Sequence, residues 1–86
     1  MATVEEVKAG VARFGDETGR QVAQIRTVID AMDRSAAMLR SVTSGSGHPR
    51  VAEALARVEQ VKQKLQEAAV LAQGAVESTR SYAASF

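Results

Sequence analysis

His48 is the one side chain here with an ordinary pKa near neutrality, and Ser44 and Ser46 lie close by. A hydroxyl with a neighbouring imidazole is the beginning of nucleophilic catalysis. That chemistry also needs an orienting acid and an oxyanion site, and the stretch Thr43-Ser44-Gly45-Ser46-Gly47-His48-Pro49 offers neither. His48, immediately before Pro49, is therefore expected to be a turn or capping residue. A single histidine and no cysteine exclude an ordinary zinc site. Di-iron centres in helical bundles need Glu-x-x-His motifs, and none occurs. Met32 and Met38 fit core filler and surface or rim better than a ligand pair. The sequence thus points to a non-enzyme, with no catalytic residue, no metal and no cofactor.

The elements around His48 carry more information. Glycine, serine and proline come together only between Thr43 and Pro49. Glycine suits the left-handed residue that often closes a helix, and proline suits the first position of the next one. A connection this short makes the flanking segments antiparallel neighbours. Thr3-Val4-Glu5-Glu6 has the S/T-x-x-E spacing of a capping box, with acidic residues at the positive end of the helix dipole. The expected layout is one domain over 1–86, with a first helix at about 4–42, a turn at 43–48 and a second helix at about 49–84.

Both segments repeat with a helical period. With Val4 as position a, the a row is Val4, Val11, Thr18, Ile25, Met32 and Leu39. The d row is Val7, Phe14, Gln21, Val28, Ser35 and Val42, and Val22, Ile29 and Ala36 widen the stripe to position e. On the second helix the inward residues are expected to be Val51, Ala54, Leu55, Val58, Val61, Leu65, Ala68, Ala69, Ala72, Ala75, Val76, Tyr82 and Ala83. Gly10, Gly15 and Gly19 interrupt the first helix, either merely tolerated, or allowing close helix approach, or leaving a weak first third that orders on binding. By helical rise the hairpin should be a rod of about 50–58 Å, with no concave pocket for a substrate.

The fold expected is all-α, an antiparallel two-helix hairpin with coiled-coil-like packing. One seam in 86 residues buries little, and without disulfides the remaining source of stability is association, most simply into a four-helix bundle. The partner is a second copy or a similar hairpin, giving a homodimer or a heterodimer. Binding is assigned to Val11, Phe14, Ile25, Val28, Met32, Leu39, Leu55, Val58 and Leu65. Tyr82 and Phe86, four apart, should share a face. They either close the open end of the core near Val4, Val7 and Val11 or form a recognition tail. A net charge of +1, with mixed signs and only three aromatics, argues against nucleic acid. No apolar run is long enough to span a membrane, and the N-terminus lacks a signal peptide's basic and apolar regions. The chain is expected to be cytoplasmic, or to leave the cell by a signal-peptide-independent route. The competing reading is an accessory subunit or scaffold of a larger cytoplasmic assembly, completing a site only in the complex.

Two long helices about a central Gly-bearing turn, at this length, resemble the small W-x-G hairpins of type VII secretion in actinobacteria and related bacteria. The Ala-, Val- and Arg-rich composition is similar to that of actinobacterial proteins. The likeness covers the whole chain as architecture and implies pairing into a four-helix bundle and export with a partner. Its motifs are altered: Ser44-Gly45-Ser46-Gly47 stands where Trp-x-Gly would be, and Phe86 stands where an acidic residue would follow Tyr82.

Overall fold

A computed structural model describes all residues, 1–86. Helix α1 runs Val4–Val42 and helix α2 runs Pro49–Ala84. They fold back on each other as an antiparallel hairpin without strands. The rod measures 63 × 17 × 15 Å, with a radius of gyration of 19.5 Å. A compact chain of this length would have a radius near 12 Å.

Local chemistry sets the ends of the helices. The Thr3 hydroxyl accepts from the Glu6 amide at 3.1 Å and donates to the Glu6 carboxylate at 3.3 Å. At the other end of α1, the Thr43 hydroxyl donates to the Leu39 carbonyl at 2.6 Å. The chain then reverses through a turn closed by the Ser46 amide donating to the Thr43 carbonyl at 2.9 Å. Gly45 sits inside that turn with φ of +84°, the chain's only positive φ. A Cβ there costs about 1–2 kcal/mol. Gly45→Ala should therefore lower the melting temperature by roughly 4–16 °C, at about 4–8 °C per kcal/mol. Gly47 has no positive φ, so Gly47→Ala should leave the melting temperature unchanged or slightly raised. Equal effects in a thermal melt would show that the turn's conformation does not depend on Gly45.

The seam is a heptad, displaced from the one the sequence suggests. On α1 the covered positions are Val7, Val11, Gly15, Thr18, Val22, Ile25, Ile29, Ala31, Met32, Ala36 and Leu39, which apart from Ala31 step by three and four beyond Val11. Apart from Val7 and Ala31 they belong to the expected a and e rows, whose first member, Val4, is exposed. The expected d row is exposed except for Val7. The reason lies in the side chains: rotating α1 toward the e row covers Val22, Ile29 and Ala36. Rotating it toward the d row would have covered Gln21 and Ser35 as well as Phe14 and Val28. Unpaired polar groups are costly to bury, so Gln21 and Ser35 stay in water.

Helix α2 behaves in the same way. Its covered positions step regularly through Val51, Leu55, Val58, Lys62, Leu65, Ala69, Ala72, Val76, Thr79 and Ala83, with Glu53 and Ala54 also half-buried near the turn. Val61, Ala68, Ala75 and Tyr82, expected inward, are exposed, each one residue before a covered one. Lys62 takes a seam position because its stem packs while its ammonium reaches out. It pairs with Asp33 across the hairpin and with Glu59 at 3.2 Å, and its side chain is only 16% exposed. Hydrogen bonds to Asp33 and then Glu59 hold its pKa above the ordinary lysine value, outweighing the opposing desolvation. This contribution is intact at neutral pH and is lost only as pH rises through that raised value.

Candidate interaction face

The residues with chemical potential are occupied by structure. The His48 Nδ1 accepts from the Arg50 amide at 3.1 Å, capping α2, and the His48 amide donates to the Ser46 hydroxyl at 3.3 Å. This is the turn-and-cap role that the Pro49 junction suggested. No group of three or more His, Cys, Asp or Glu side chains is placed to hold a metal. No helix is long and apolar enough to cross a membrane.

What distinguishes the surface is its division into two sides. In an antiparallel pair, the rows that follow covered positions meet on one side of the hairpin, and the rows that precede them meet on the other. The first side is polar: Asp33 follows Met32 and Glu59 follows Val58, and both hold Lys62. Gly19, Arg26, Gln73 and Arg80 line a shallow groove on the same side.

The second side carries Phe14, Gln21, Val28, Ser35 and Val42 from α1, beside Ala54, Val61, Ala68, Ala75 and Tyr82 from α2. Met38 and Leu71 flank these rows at helical spacings of three and four. Phe14, Val28, Met38, Val42, Val61, Leu71 and Tyr82 are all exposed, from 39% at Phe14 to 75% at Val42. These apolar side chains share one side of the hairpin, with the exposed Gln21 and Ser35 between them. Charges on this side are confined to the flanks, where Glu17, Arg57 and Lys64 lie.

The residues assigned to binding from the sequence separate into two sets. Val11, Ile25, Met32, Leu39, Leu55, Val58 and Leu65 are half-buried between α1 and α2, where they hold the hairpin together. Phe14, Val28 and Tyr82 lie on the open face. Tyr82 and Phe86 are each 55% exposed and stack edge to face on each other, with ring centroids 5.1 Å apart. They share a face as their spacing requires. They do not close the core beside Val4, Val7 and Val11, because the ring pair satisfies itself outside the seam. Val61, Ala68, Met38 and Leu71 belong to the face but had not been assigned to binding. The available signal was the seven-residue row Val61, Ala68, Ala75, Tyr82, which runs parallel to Phe14, Gln21, Val28, Ser35.

No family model, curated protein or solved structure matches this chain.

Proposed function

We propose that this protein is a non-enzymatic helical-hairpin interaction protein that associates with itself or with a similar hairpin, burying the Phe14–Val28–Val61–Tyr82 face. The single observation that carries the reading is the low burial of a chain that is nearly all helix: 5 of 86 residues are buried. A lone hairpin leaves one whole side of its apolar surface wet, and helices of similar shape are the natural cover for it. Pairing into a four-helix bundle is also what the resemblance to the type VII secretion hairpins implies. Export as the passenger of a signal-bearing partner is the part of the proposal that follows from that likeness.

The test is the paired substitution Phe14→Asp and Tyr82→Asp, chosen because neither residue belongs to the seam. The doubly substituted chain should keep its helical circular dichroism while light scattering shows association at micromolar concentration lost. Association undiminished in the folded variant would move the interaction to another surface.

A further inference from the structure

We propose that the groove on the polar side of the hairpin binds a small oxyanion-bearing ligand, its carboxylate or phosphate held between Arg26 and Arg80 above Gly19. The site lies on the opposite side from the Phe14–Val28–Val61–Tyr82 face, so it stands or falls apart from the pairing reading.

The first support is a buried hydroxyl without a partner. The chain has five threonines. Thr27, Thr43 and Thr79 each donate to a carbonyl three or four residues back, and Thr3 caps α1. Thr18 is the most buried of the five, at 6% exposed, and its hydroxyl alone makes no hydrogen bond. No fully sealed polar side-chain atom of this chain is left unpaired, so the Thr18 oxygen keeps an opening. That opening is the groove, which Thr18 lines. A hydroxyl there can donate to an anion's oxygen.

The second support is charge. Side chains lean toward the N-terminal end of their own helix. Because α1 and α2 are antiparallel, Arg26 leans along the groove from one end and Arg80 from the other, with Gly19 between them. No carboxylate of the chain pairs with Arg26. Arg80 meets Glu77 through one nitrogen, at 3.4 Å. Its Nη2 lies beside Gly15, 3.7 Å from where a Cβ would stand. Two guanidiniums against the single carboxylate of Glu77 leave the lining positive, and Lys8 and Asp16 beyond Arg80 balance each other. Guanidinium forks match the paired oxygens of carboxylates and phosphates, and Gln73 adds an amide donor.

The third support is room. Glycine weakens a helix interior, and Gly19 returns no packing for it, since a Cβ there would meet nothing within 4 Å. What Gly15 and Gly19 supply is a floor without side chains. The groove over it offers about 600 Å³, within the span of small-molecule sites.

The test is an NMR titration of the full chain with sodium phosphate and, separately, sodium citrate, at an ionic strength held constant with chloride. The Gly15 and Gly19 amides and the Nε resonances of Arg26 and Arg80 should shift saturably, while those of Arg40 and Arg50 stay in place. The anion that saturates at the lower concentration identifies the ligand's head group as phosphate or carboxylate. Arg26→Gln should weaken binding by about tenfold or more, and Thr18→Val by about two- to tenfold with the helical circular dichroism unchanged. Gly19→Leu should abolish binding without lowering the melting temperature, because leucine favours the helix and fills the floor. Shifts spread evenly over all the exposed arginines would show charge screening alone and overturn the site. So would an affinity unmoved by Arg26→Gln or Gly19→Leu, or the lack of saturation by either anion at tens of millimolar.

Discussion

A chain carrying Val22→Asp is expected to lose most of its helical circular dichroism at room temperature. Val22 is 5% exposed, in the middle of the seam at the level of Ala69, which is 6% exposed. The seam positions beside it are uncharged, and Arg26, one turn on, lies in the groove at the seam's edge, so the new carboxylate is either buried unpaired or must be drawn out of the seam to reach Arg26. An uncompensated buried charge costs about 3–5 kcal/mol. That equals the whole stability, about 3–5 kcal/mol, that a single small core supplies. Val70→Asp is the matching control, since Val70 is 68% exposed and lies outside both the seam and the open face, so its substitution should leave the helices formed. The same reasoning changes what Ile25→Asp and Leu55→Asp would report. Both residues lie between α1 and α2, so a charge there dismantles the hairpin and says nothing separate about association. A Val22→Asp chain as helical as the parent would show that the seam does not run through this position.

The opposite change should follow from replacing Gly10, Gly15 and Gly19 together with alanine. Each glycine costs a helix interior about 1 kcal/mol relative to alanine, so the three together should add about 3 kcal/mol. For a domain this small that corresponds to a rise of about 12–24 °C in melting temperature. Space decides that the sign is favourable. An added Cβ meets nothing within 4 Å at Gly10 or Gly19. At Gly15 it would lie 3.6 Å from the Val76 Cγ1 and 3.7 Å from the Arg80 Nη2, which is ordinary contact. Close approach of α2 is therefore not what these glycines provide. A rise of only a few degrees would show that the first third of α1 does not limit stability.

The all-α class, the reversal and both helix caps were legible in the sequence because each is a local matter. Thr3 and Glu6 are neighbours across one helical turn, and His48 caps the helix that Pro49 begins, whatever the rest of the chain does. The existence of a heptad stripe was equally legible, since its period comes from the helix itself. The side of that stripe that α2 occupies was not. The a–d and a–e seams of α1 have the same alternation of threes and fours and share row a; rows d and e lie one residue apart, so choosing between them turns the helix by about 50°. The choice between them depends on what each row brings from both helices at once. The tertiary structure resolves it by covering Val22, Ile29 and Ala36 against Ala69 and Val76 and by leaving Gln21 and Ser35 in water. The same rotation turned Phe14, Val28, Val61 and Tyr82 from expected core into an exposed face. Local sequence determined that there would be two helices and where they would end; only their packing decided which apolar residues hold the hairpin and which remain open, because burial belongs to the pair of surfaces and not to either helix alone.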